Sequence, residues 1–174
     1  MLPALKTVCG TGCGMAACPV LRLLVTASTD ELQIFSLPHS IYAQGCGLEL
    51  LRTMRGAEPF LFQFVHCLSG VLAFTGSTAS TRLLLATDRG HKAVHVVDVV
   101  RGEHAGFVAP PGTIEEPHAV AARGCKVAVS MGCEVRVYEG SDSRWEAVRT
   151  IRLGQYSFVH SLRFTSDGMG VVAG

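Results

Sequence analysis

The sequence predicts an all-β protein. Three observations carry that expectation: apolar runs too short for helices, period-two alternation of β-branched and aromatic residues, and the return of both at intervals of about 40 residues. The composition agrees, since 19 Gly and 7 Pro punctuate the chain, and residues of that kind interrupt helices and close turns.

In chain order the elements follow from one repeated pattern. An apolar run ending in a small or turn-forming residue occurs four times, as Leu23-Leu24-Val25-Thr26-Ala27-Ser28, Leu83-Leu84-Leu85-Ala86-Thr87-Asp88, Val127-Ala128-Val129-Ser130 and Val171-Val172-Ala173-Gly174. The ends of these runs lie 60, 42 and 44 positions apart. After each of the first three comes a polar turn holding Asp30, Gly90 or Gly132. An alternating segment follows: Leu32-Gln33-Ile34-Phe35, Val94-His95-Val96-Val97 or Val135-Arg136-Val137-Tyr138. Two short strands around such a turn make a hairpin with one buried face. A further strand returns twice, as Leu51-Arg52-Thr53-Met54 and Val148-Arg149-Thr150-Ile151. Three units open alike, with Val65-His66-Cys67-Leu68, Pro117-His118-Ala119-Val120 and Val159-His160-Ser161-Leu162.

Units of up to four short strands over about 40 residues have the period of a β-propeller blade. Helical-pair repeats of similar length need helical spacing and better helix formers. The expected organisation is a Gly- and Cys-rich N-terminal segment over 1–19, then four-stranded antiparallel blades over about 20–56, 60–108 and 117–153, and a partial blade over 157–174. A Gly-, Ser- and Thr-rich surface loop at 69–81 accounts for the long second unit, and 109–116, with Pro110-Pro111-Gly112, is the crossover between blades. Closing a ring removes open sheet edges and takes at least about four blades. About three and a half blades therefore read as the front of a longer propeller, a truncated gene model, or a subunit whose ring is completed by further sequence or a second chain.

The stretch from Leu24 to Phe35 resembles the inner hairpin of a WD-repeat blade, and Val159-His160-Ser161-Leu162-Arg163-Phe164-Thr165-Ser166-Asp167-Gly168 looks like the opening strand and turn of the next. The piece from Ala86 to Val96 is similar to an NHL-repeat turn, with His91 and Ala93 where that family prefers Asn and Arg. No Trp-Asp pair closes a blade, because the single Trp is Trp145, in an outer strand. The likeness covers about residues 20–174 at the level of blades. It implies a WD-repeat or NHL-repeat type β-propeller.

His66, His118 and His160 each stand second in an opening segment. Innermost strands line the channel of a propeller, so equivalent positions on successive blades converge on one axis, and three imidazoles at one level suit Zn²⁺. The resemblance to NHL-type peptide-amidating lyases implies the same three residues as metal ligands, with a metal-bound water as the reactive group. Against this stands the reading of strand-start histidines that hydrogen-bond a neighbouring blade or turn and fix its packing, or that make a pH-sensitive contact.

Other chemistries find less support. The 15 Lys and Arg against 14 Asp and Glu give a net charge of +1, which provides no footprint for nucleic acid or an anionic membrane. No window holds the roughly 18 uninterrupted apolar residues of a spanning helix, and the Gly-, Thr- and Cys-containing stretch after Lys6 lacks the apolar centre of a secretory leader. The 7 cysteines, Cys9, Cys13, Cys18, Cys46, Cys67, Cys125 and Cys133, are an odd number in apolar or glycine surroundings, as expected of a reducing compartment, cytoplasm or nucleus. Gly10-Thr11-Gly12-Cys13-Gly14 has the spacing of a dinucleotide loop, yet Pro19 leaves no room for the helix that must carry the pyrophosphate. Cys9, Cys13 and Cys18 lack zinc-knuckle spacing, and no Gly-x-Ser-x-Gly elbow is present. Asp30, Asp88 and Asp167 fall in turns, where Asp accepts backbone N–H bonds more readily than it gathers calcium.

The expected function is a non-enzymatic scaffold, without cofactor, that binds a protein or peptide partner through rim loops at 38–47, 86–92 and 140–144. Candidate contacts are Tyr138, Arg144 and Trp145 around the last loop, and Arg89 and His91 in the second, since aromatic and Arg side chains dominate binding hot spots. Trp145 has a competing role in blade-to-blade packing.

Overall fold

A computed structural model of the chain describes residues 14–18, 21–27, 31–38, 47–55, 72–75, 83–88, 92–141, 144–154 and 159–174. Among these every regular element is a strand, and the strands form antiparallel sheets in chain order. The first sheet is β1 (Gly14–Cys18), β2 (Leu23–Ala27), β3 (Glu31–Ser36) and β4 (Glu49–Arg55). The second is β5 (Leu72–Thr75), β6 (Leu83–Asp88), β7 (Ala93–Asp98) and β8 (Glu103–Ala109). The third is β9 (Pro117–Arg123), β10 (Lys126–Met131), β11 (Glu134–Ser141) and β12 (Arg144–Arg152). A two-stranded sheet, β13 (Leu162–Phe164) and β14 (Val171–Ala173), follows. Within each sheet every strand neighbours the next in sequence, so each sheet is an up-and-down meander.

The alternation read from the sequence places the core. In β7, Val94 and Val96 turn one way and Val97 turns the other with Val99 just beyond the strand. Val97 and Val99 pack against Leu23, Val25, Leu32, Ile34 and Met54 of the first sheet. Val94 and Val96 pack with Val120, Val127, Val129, Met131 and Tyr138 of the third. Ala119, Ala121, Ala128, Val135 and Val137 then meet Val159 and Leu162 of the fourth unit. The three apolar cores thus lie in the seams between successive sheets, the second and third sheets each serving two seams through their two faces. The opening strands β1, β5, β9 and β13 touch in succession, and β8 touches β12 at the outer side. This is radial stacking of blades around an axis.

Two of the described turns behave as the sequence implies, whereas Asp88, expected in a turn, ends β6 and pairs with Ala93. Gly132, between β10 and β11, has φ of +52°, a left-handed conformation that costs glycine little. Asp167 sits in the β13–β14 turn, where its Oδ1 accepts from Thr165 Oγ1 at 2.5 Å and from the Met169 N–H at 2.9 Å. The hydroxyl bond first, then the backbone bond, holds the Asp167 carboxyl below the usual carboxylate range.

Two boundaries differ from expectation. Gly14–Cys18, set apart in the N-terminal segment, is the opening strand of the first sheet and pairs with β2 from Gly14↔Ala27 to Cys18↔Leu23. Leu72–Thr75, expected inside a surface loop, is the opening strand of the second sheet. Small residues hide both: Ala and Gly in β1 and the Gly/Ser/Thr surroundings of β5 mask the apolar alternation. Cys9, Cys13, Asp30, Cys46, Cys67 and most of the expected loop at 38–47 lie outside the described residues.

Candidate interaction surface

The β11–β12 hairpin carries the first group of candidate contacts. Tyr138 pairs across the ladder with Val127 and therefore shares its face, the one turned to the second sheet. Its side chain is 5% exposed and belongs to the seam core, and burial pushes its phenol pKa up. Tyr138 is thus a packing residue, which corrects the reading of its ring as a partner contact. Trp145, in the outermost strand, is half-buried and packs against the same core, while Arg144 is exposed. Gly140 makes the hairpin possible, because a Cβ there would overlap the backbone of Arg144 and Trp145. Arg89 and His91 lie outside the described residues.

Of the three histidines, His118 and His160 lie among the described residues. His118 is the second residue of β9 and half-buried, whereas His160 is exposed and precedes β13, its N–H bonded to the Gly174 carbonyl at 2.8 Å. His66 lies outside the described residues, and in sequence it precedes β5 by six positions, so it is not the second residue of the second sheet's opening strand. No group of three His, Cys, Asp or Glu side chains gathers as a metal cage among the described residues.

A pair of histidines that the sequence reading did not single out does meet. His95 Nδ1 and His104 Nε2 are 3.2 Å apart, one from β7 and one from β8, and both rings lie against Phe107. Burial, and then the neighbouring His95, lowers the His104 pKa to about 4. The His104 ring is therefore neutral at ordinary pH. The available signal was His95 in an alternating run, a polar ring at a position whose neighbours on the same face, Ala93 and Val97, are fully buried.

Between the third sheet and the β13–β14 hairpin lies a cavity of about 340 Å³. Val137, Val148, Ile151, Phe164 and Val171 supply its apolar walls, and Lys126, Glu139 and Arg149 its charges. Lys126 Nζ and Glu139 Oε1 are paired at 3.4 Å.

No protein-family model and no curated protein matches the chain. Solved structures do. The RRP9 WD40 repeats are similar with a TM-score of 0.61 and 16% identity over 90% of this chain and 43% of theirs. U3-55K has a TM-score of 0.59 and 16% identity over 90% and 44%. The WD40 β-propeller domain of Doa1 has a TM-score of 0.59 and 10% identity over 94% and 46%. The chain spans less than half the length of each of these structures. With meandering four-stranded sheets stacked in sequence order and touching along their opening strands, the chain has the fold of a WD40-type β-propeller, of which the described residues form three blades and the first hairpin of a fourth.

Proposed function

We propose that the chain is a non-enzymatic β-propeller scaffold that binds a protein or peptide partner through its rim loops. The observation that supports this reading is the location of the core. All three apolar clusters sit in the seams between sheets, while Arg101, Pro111, Gly112 and Gly124 between strands and Arg144 at the start of β12 are exposed. A disc held together this way tolerates any loop chemistry at its rim, the condition for a recognition surface on a rigid support. Arg144 at the β11–β12 turn is the described residue best placed to contact a partner, with Arg89 and His91 assigned to the same role in the loop at 86–92. The free cysteines Cys18, Cys125 and Cys133 fit a reducing compartment, cytoplasm or nucleus.

The test is Arg144→Glu in the whole chain. Capture of partner proteins by the immobilised protein falls by about tenfold, as loss of a hot-spot arginine implies, while the urea midpoint stays unchanged. Loss of folding and capture together rejects the rim-loop reading.

A further inference from the structure

The second sheet brings together two imidazoles that the sequence holds nine residues apart, with His95 Nδ1 3.2 Å from His104 Nε2. In an unbroken ladder they would not meet. Val96 pairs with Gly106, so regular register would set Ala105 opposite Val97 and His104 opposite Asp98. Opposed residues share a face and successive ones alternate, which would put His104 on the side away from His95. Instead the ladder slips between Val96 and Val97, leaves Ala105 as an extra residue and sets His104 opposite Val97. The slip turns the His104 ring to the face of His95, as a bulge re-aims the side chain beside it.

A second slip, between Val94 and His95, leaves Val108 as an extra residue and sets Phe107 opposite His95. Phe107 then lies against both imidazoles, at centroid distances of 5.0 Å from His95 and 4.7 Å from His104. Gly106, between the two extra residues, has φ of +142°, a conformation open to glycine. The slip that aims His104 recurs in the other two complete sheets, between Ile34 and Phe35 and between Val137 and Tyr138. There the corresponding residues are Gln33 with Leu50 and Arg136 with Ala147. The slip that brings in Phe107 has no counterpart in β4 or β12. A common feature of the blades is thus combined in one of them with a further bulge, and the product is a pair of imidazoles backed by an aromatic ring.

The two nitrogens have the spacing of ligands on one ion. At Zn–N distances of about 2.0–2.1 Å, a separation of 3.2 Å subtends an N–Zn–N angle of about 100–106°, close to tetrahedral. Imidazole nitrogen suits zinc, copper and nickel ions, and it ligates in the unprotonated form, the form of His104 at ordinary pH. His95 is 3% exposed and stands on β7, an interior strand of its sheet. His104 is half-buried on the outermost strand, which leaves an ion a route in and water access to its remaining positions. Phe107 supplies the apolar wall that restrains both rings.

We propose that His95 Nδ1 and His104 Nε2 form a binding site for a divalent transition-metal ion of the zinc class, with water in its remaining positions. Both rings ligate as neutral imidazoles. The proton that lies between the two nitrogens in the metal-free pair passes to the far nitrogen of the ring that carries it, so no net proton is released and nothing is oxidised or reduced. The bound ion clips the outermost strand β8 to β7 across the bulge. The inference is independent of the rim-loop reading, since no rim loop contributes a ligand.

The probe is zinc chloride titrated into the chelator-treated 174-residue protein, with Co²⁺ as a spectroscopic substitute. Zinc binds saturably and raises the thermal midpoint, as an ion that binds only the folded state must. Bound Co²⁺ gives visible d–d bands without the thiolate charge-transfer absorption of a cysteine site. His104→Gln weakens zinc binding by more than about 100-fold, since even a residue that only orients a ligand is worth about 10- to 100-fold. His160→Gln, in the fourth unit, leaves it unchanged. Should His104→Gln disturb folding, the imidazole resonances of the unsubstituted protein decide, and zinc shifts those of His95 and His104. Absence of saturable binding, equal zinc affinity in His104→Gln, thiolate absorption, or shifts confined to other histidines overturns the proposal, and the pair is then a hydrogen bond between two strands.

Discussion

The third sheet shows two different faces to its neighbours. Towards the second blade it presents Val120, Val127, Val129, Met131 and Tyr138, large side chains that interlock with Val94, Val96, Val108 and Ile114. Towards the fourth unit it presents Ala119, Ala121 and Ala128 at its inner end, with Val135 and Val137 further out. Ser130, fully buried on that side, donates from Oγ to the Val159 carbonyl at 3.1 Å. One seam is held by volume, the other by close approach around small residues and a backbone hydrogen bond. Both come from the same strand: along β10 the sequence Val127-Ala128-Val129-Ser130-Met131 alternates large and small. A sheet that must serve two seams encodes them in its two parities.

The comparison breaks most visibly at Met131, 2% exposed in the large-residue seam. Met131→Ala opens a cavity that rigid sheets cannot close, and is expected to cost about 2–5 kcal/mol of unfolding free energy in urea. On the other face the harmful change has the opposite sign of volume. Ala128 is fully buried, and Ala128→Leu forces the opening segment of the fourth unit outward, at about 1–3 kcal/mol. Hydrogen exchange tells the two apart. The Ala128 variant loses protection in β13 and β14, which depend on that face, while protection in β7 and β8 persists. If Ala128→Leu is silent, the close approach is not what holds the fourth unit.

The blades were legible because their central strands carry two signals at once, period-two alternation and a turn residue at the end, as in Val94–Val97 followed by Asp98, or Val135–Tyr138 preceded by Gly132. The first two opening strands were harder, while those of the third and fourth units stood where the sequence put them. In β1 the run Met15-Ala16-Ala17-Cys18 reads as composition rather than pattern. Fixing the second opening strand on the wrong segment put His66 in line with His118 and His160. The position of Tyr138 was legible in principle, since its parity relative to Val135 and Val137 places it on the other face of β11. The role of Arg52 was not legible from its own strand, because its partner is the turn of a different blade, a contact 49 residues away.

The smallest effect belongs to the second blade, where His95 lies on the same side of β7 as Val97 and touches His104 and Phe107. Here a face of the sheet combines apolar packing with a pair of imidazoles. His104 has its pKa lowered from 6.5 to about 4, first by burial and then by His95. Above pH 6.5 the ring is neutral folded and unfolded, and stability is full. Between 6.5 and about 4 the unfolded chain binds a proton that the folded chain refuses, so stability falls as the pH falls. Below about 4 both states are protonated and the loss stops growing. Because the ring is half-buried, screening reduces the effect, and a fall in the thermal midpoint of about 2–4 °C is expected. Carboxylates titrate over part of the same range, so the informative quantity is the midpoint of the unsubstituted protein minus that of His104→Gln, measured from pH 7 to pH 4. That difference changes with pH if the His104 imidazole is a neutral component of the blade. A flat difference places the proton of His104 within easy reach of water in the folded state, and the pair then belongs to the surface of the blade rather than to its seam.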